Sequence, residues 1–183
     1  MLSIKRFTKS QNVKFHQMIN LALFSLQQNG VKNVSQLYLH KILWYADFIA
    51  DRDLGKSISA IDYQANHNGP TNKLLNVSGF PFILKQDASK KKRKYYSYQA
   101  DSNDFSKLSF NERAIIIEAA KMVSEFLKNT RQTRFFYDYV HTVEPAYKIT
   151  KRNDVIPYDL SETIQLDKSY RARQSLKYES IGN

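Results

Sequence analysis

The chain has 183 residues, with 28 Lys and Arg against 17 Asp and Glu, giving a formal charge of +11 and a pI near 9.7. Apolar residues make up 42% and aromatics 13%, enough for a packed core; disorder throughout is excluded, and one domain with a small appendage is expected. The absence of cysteine removes disulfides, thiol nucleophiles and thiolate metal sites together, and the positive field fixes a partner's sign without naming it.

Residues 1–12 read as a loose basic arm. No apolar core of signal-peptide length follows it, and apolar runs such as "AIIIEAA" are broken by charges well short of a bilayer span. A cytoplasmic protein with no membrane partner is expected. From Val13 the apolar residues Phe15, Met18, Ile19, Ala22, Leu23 and Leu26 recur at helical spacing, and Asn29-Gly30 supplies a left-handed stop. The next helix has Ser35 as its N-cap and an inner face of Leu39, Ile42, Leu43, Ala46, Ile49 and Ala50. Tyr38, Trp44, Tyr45 and Phe48 widen that face, leaving Gln36, His40, Asp47 and Asp51 as a narrow polar strip. Such a helix belongs at the centre of a fold, and it ends near Leu54-Gly55.

Residues 57–67 alternate loosely and read as extended. Gly69-Pro70 then predicts the first turn of a short helix reaching Val77, with Asn68 or Thr71 as its cap. Phe80 to Leu84 and Lys94 to Gln99 read as two strands of a hairpin with a basic tip. Ser109 and Glu112 form a capping box at the start of a helix that buries Ile115, Ala119, Met122, Val123 and Phe126. A last helix runs from about Gln132 to Thr142 and stops before Pro145. The domain spans residues 13–160, and residues 161–183 form a polar tail. The class is α+β, mainly α: a compact helical domain with a small β-hairpin or sheet.

No catalytic constellation stands out. His16, His40, His67 and His141 are too scattered for a zinc-protease pair, and His141 with Glu144 fits a helix end better than a metal site. No glycine-flanked serine elbow occurs, and the five glycines do not cluster into a phosphate-cradling loop. Asp51 and Asp53 point apart on a helix. An enzyme, a cofactor and a bound metal are therefore not expected. "SKKKRKYYSY" sets a basic run beside three tyrosines, as single-strand binders do, so a nucleic-acid-binding autorepressor or RNA binder is the alternative function. The same lysines also serve to block strand-edge pairing. Twelve tyrosines exceed what the core needs, which favours some at a protein-binding surface.

The stretch from His40 to Leu75 resembles the opening motif of the Panacea family, the SocA-like antitoxin domain. Lys41, Leu43, Trp44, Tyr45, Ala46 and Asp47 match its aromatic helix, Gly55 its stop, Tyr63 and Ala65 its strand, and Gly69-Pro70 its Gly-Pro pair. "LSFNERAIIIEAAKMV" is similar to its capped helix, and His141 and Glu144 stand in its H-x-x-E ending. Thr71-Asn72 replaces the usual valine and proline, and Tyr147 a common tryptophan. The resemblance implies a bacterial or phage antitoxin that neutralises a neighbouring toxin by direct binding, and the charge implies an acidic surface on that toxin. The expected binding surfaces are the hairpin around Lys91, Lys92, Arg93, Tyr95 and Tyr96, and the neighbourhood of Gly69-Pro70 with Tyr63, His67, His141 and Glu144.

Overall fold

The computed structural model describes residues 9–72, 75, 95–96, 104–127 and 130–168, with backbone alone at 9–12, 95–96 and 130–133. Its elements run α1 (Lys9–Gln28), β1 (Val34–Ser35), α2 (Gln36–Leu54), β2 (Gln64–Asn66), β3 (Gly69–Thr71), β4 (Tyr95–Tyr96), α3 (Phe110–Leu127), α4 (Thr130–Thr142) and α5 (Pro145–Ile149), followed by a 3-10 turn at Tyr158–Thr163. This is a mainly helical α+β fold. Among the described residues no helix is long and apolar enough to cross a membrane.

α1 begins at Lys9, four residues inside the stretch expected to be a loose arm. Its apolar stripe is buried as the spacing requires, and it closes in a Schellman motif. The Val31 amide donates to the Leu26 carbonyl at 2.9 Å and the Gly30 amide to the Gln27 carbonyl at 3.0 Å, with Gly30 at φ +84°. α2 is the central helix, with every residue from Leu39 to Ala50 buried, and Gly55 caps it in the left-handed conformation. Ser35 holds the N-cap position with extended backbone but makes no side-chain capping bond. The polar strip of α2 is half-buried at its ends, Gln36 and Asp51, and closed off at its middle: His40 is 3% exposed and Asp47 0%, because the chain from Ser57 to Asn72 lies across them.

α3 packs against α1 and α2. Its capping box is formed: the Ser109 amide donates to Glu112 Oε2 at 2.8 Å and the Glu112 amide to Ser109 Oγ at 3.3 Å. Lys14 pairs with Glu112 Oε1 at 2.6 Å, fastening α1 to the same helix start. Phe136 of α4 stacks on Phe126 of α3 with ring centroids 5.1 Å apart, and its ring also meets those of Tyr38 and Tyr45.

The Gly-Pro pair corrects the sequence reading. It begins no helix; Gly69–Thr71 is β3, antiparallel to β2 across a two-residue turn at His67-Asn68, with Gln64 opposite Thr71, Ala65 opposite Pro70 and Asn66 opposite Gly69. Pro70 suits this place because Ala65 faces the other way. Its amide donates to the Asp154 carbonyl and its carbonyl accepts from the Asn153 amide, both at 2.9 Å, so no N–H is asked of Pro70. Of residues 57–67, only 64–66 are strand.

Tyr95–Tyr96 pairs with Val34–Ser35 in a second two-stranded sheet. The remainder of the expected basic hairpin, including Lys91, Lys92 and Arg93, lies outside the described residues. So do residues 1–8 of the arm, the stretch from Asn76 to Val77 and residues 169–183 of the tail. The packed chain also continues past residue 160: Ile164 and Leu166 are core, and Asp167 is buried against Arg52 at 2.6 Å. Weak apolar patterning there reflects a segment that packs by a few side chains and by backbone hydrogen bonds rather than by a periodic face.

Candidate functional site

The β2–β3 turn is held by its backbone. Three consecutive carbonyls of Asn66, His67 and Asn68 each face a side-chain donor from a helix. Tyr147 Oη donates to Asn66 O at 2.6 Å, Tyr137 Oη to His67 O at 3.2 Å, and Lys41 Nζ to Asn68 O at 2.6 Å. His141 Nε2 lies 3.1 Å from His67 O, while its Nδ1 lies 2.6 Å from Tyr137 O within α4. The His141 ring stacks on Tyr137 at 4.0 Å and meets Tyr147 edge-on at 4.9 Å. Elements far apart in sequence thus converge on one turn, and the turn's own side chains, His67 and Asn68, are left exposed.

Lys41 is the unusual member. It is fully buried, its ammonium lies 5.7 Å from the Tyr38 ring centre and 5.5 Å from that of Tyr137, and burial pushes its pKa down to about 7. Gly69 makes room for it: at φ +104° a left-handed conformation is required, and a Cβ there would sit 2.7 Å from Lys41 Nζ. The glycine is demanded twice over, by backbone geometry and by the lysine head group.

Two buried carboxylates lie deeper. Asp47 accepts from the Ser59 amide at 2.8 Å, from the Ser59 hydroxyl and from Tyr63 Oη at 2.7 Å. Burial lifts its pKa to about 6, with the Ser59 and Tyr63 hydrogen bonds pulling the other way. Glu144 sits at the N-cap of α5, yet its side chain turns inward to accept from Tyr45 Oη at 2.9 Å and from the Gln165 and Leu166 amides at 3.0 and 2.9 Å. Burial carries it to about 7 against those bonds. Burial also raises the phenol pKa values of Tyr45 and Tyr63.

Beside the turn lies a cleft of about 420 Å³ bounded by the start of α2 (Gln36, Leu37, His40), the hairpin (Asn66, His67, Asn68, Thr71) and the 151–154 loop (Arg152, Asn153). Among the described residues no carboxylate lines it. The structure therefore places His67 on this surface and half-buries His141 behind it, while Gly69 and Pro70 are buried in the hairpin and Tyr63 and Glu144 lie fully inside the fold. Sequence reasoning does not bring Lys41, His40 and Arg152 to this turn and cleft. A lysine within an otherwise apolar helix face was the available signal for the first; the approach of a loop more than a hundred residues away gave none for the last. Among the described residues no group of three or more His, Asp or Glu side chains is arranged to hold a metal ion.

Comparison with curated proteins returns no match, and comparison with solved structures returns none. The model of the antitoxin SocA-like Panacea domain matches residues 39–141, which include α2 from Leu39 onward, the β2–β3 hairpin, its clamping residues Lys41, Tyr137 and His141, and the whole of α3. Covering more than half of the chain, that match establishes that this protein belongs to the SocA-like, Panacea-domain antitoxin family.

Proposed function

We propose that the chain is an antitoxin that neutralises a cognate toxin by binding it directly, without chemistry of its own. The observation that carries this reading is the family match over residues 39–141. Two physical features support the mode of action. The turn that presents His67 and Asn68 is clamped at three carbonyls, so its surface is organised before a partner arrives and association costs little ordering entropy. The groups that most resemble an acid–base pair, Asp47 and Glu144, each accept three hydrogen bonds inside the fold, which leaves them as scaffolding. A charge of +11 favours a toxin with an acidic face and a fast, salt-sensitive encounter.

Co-expression with the product of the adjacent reading frame tests the proposal. Growth rescue accompanied by co-purification of the two proteins is expected, and rescue should survive His67→Ala because no proton transfer depends on it. Absence of rescue with both proteins present at comparable levels would remove the antitoxin reading. A gel shift with mixed DNA and RNA that weakens steeply with salt would instead favour the nucleic-acid-binding alternative.

A further inference from the structure

His40 is the most closely determined group of the cleft. Its Nδ1 accepts the Asn72 backbone N–H at 3.2 Å, so the proton of the neutral imidazole resides on Nε2. Burial, and then the neighbouring Lys41 charge, push the ring's pKa down to about 3, so that neutral form persists across the physiological range. The ring is 3% exposed and lines the cleft, and among the described residues nothing accepts from Nε2. An N–H held in a nearly buried ring, in one tautomer and without an acceptor, is a donor reserved for something that enters.

The other walls agree with that polarity. Arg152 is exposed and forms no ion pair among the described residues. Among the described residues the remaining polar lining is amide, imidazole and hydroxyl, with no carboxylate to neutralise the guanidinium. One cation and one neutral fixed donor suit a single negative charge. A phosphate chain would call for several cations or a nest of backbone amides.

We infer that this cleft receives an Asp or Glu side chain of the partner protein, seated between the Arg152 guanidinium and the His40 Nε2–H. This deepens the toxin-binding reading above and rests on it for the identity of the partner. At about 420 Å³ the cleft holds such a side chain together with its flanking backbone. Arg152 lies beyond residues 39–141, so the cation that completes the site comes from outside the segment that matches the family. Two chains sharing the matched domain would then differ in partner through this loop.

The test uses the full chain labelled with 15N at histidine and arginine, titrated separately with an acetylated, amidated Gly-Glu-Gly peptide and its Gly-Gln-Gly counterpart. The glutamate peptide should shift the His40 Nε2 and Arg152 side-chain resonances saturably. The glutamine peptide should bind about tenfold more weakly or worse, the ratio for losing a charge-assisted hydrogen bond. Arg152→Glu, a change at an exposed position, should abolish the response while leaving the remaining spectrum in place. Equal responses to the two peptides, no response from either, or tighter binding of inorganic phosphate or a short single-stranded DNA would overturn the assignment. In cells, wild type that neutralises while Arg152→Glu neutralises equally well also overturns it and leaves the antitoxin reading standing. Wild type that fails to neutralise removes that reading, and with it the identification of the partner as a toxin.

Discussion

Asp47 and Glu144 lie inside the fold, and His40 and Arg152 lie along the edge of a cleft. All four are polar groups contributed by or packed near the helical core, yet their hydrogen-bonding capacity is used differently. Each carboxylate accepts from three donors, and those donors come from residues 12 to 99 positions away in sequence. They stitch the chain together. His40 and Arg152 keep donors that no described residue accepts, beside a turn whose backbone is firmly held. The contrast separates structural polarity from polarity available for recognition, and it explains how a chain with buried carboxylates and many tyrosines can lack an assembled acid–base site among its described residues.

The largest expected effect lies on the inner side of this comparison. Asp47→Ala leaves the Ser59 amide and hydroxyl and the Tyr63 hydroxyl buried without their acceptor, and should cost about 3 kcal/mol or more in chemical denaturation. Arg152→Ala, on the outer side, should stay within about 0.5 kcal/mol. Similar costs for the two would erase the distinction.

Glu144 gives a pH-dependent form of the same test. Its folded pKa, about 7, lies above the ordinary 4.5, so between those values the folded state holds a proton that the unfolded state has released. Its contribution to stability is therefore full below about pH 4.5 and is lost as pH rises through about 7. Relative to Glu144→Gln, wild type should lose up to about 3 kcal/mol between about pH 4.5 and about pH 8. Parallel stability profiles for the two proteins would show that Glu144 is ionised throughout.

Two smaller changes sharpen the comparison at the clamp. Gly69→Ala should destabilise by about 1–3 kcal/mol, since it strains a backbone at φ +104° and displaces the buried Lys41 ammonium. Lys41→Met keeps the apolar stem and removes a cation whose burial is itself costly, so global stability should move by no more than about 1 kcal/mol. Amide exchange at the β2–β3 turn should nevertheless quicken, because the Asn68 carbonyl loses its donor. Unchanged exchange would mean that the two tyrosines and His141 hold the turn unaided.

The helices were largely legible because their causes are local. Apolar spacing placed α1 and α2, Gly30 and Gly55 closed them, and the Ser109–Glu112 box opened α3 where expected. The family resemblance carried by residues 40–75 and 108–147 pointed to the domain that the match then established. What escaped was set by contacts distant in sequence. Gly69-Pro70 is compatible with a helix start or with an edge strand, and only the pairing of Ala65 with 153–154 decides for the strand. His40 and Asp47 read only as part of a narrow polar strip, because nothing local announces that residues 57–72 will cover them. The cleft is invisible in sequence for the same reason: its walls meet only after Arg152 returns to the start of α2.

The measurement that bears most directly on neutralisation by binding is a titration of toxin activity against added chain, with the purified complex weighed by light scattering. Stoichiometric capture predicts a linear loss of toxicity that ends at a fixed integer ratio matching the complex. Complete neutralisation at a small fraction of one equivalent, with no complex detected, would show turnover and contradict it.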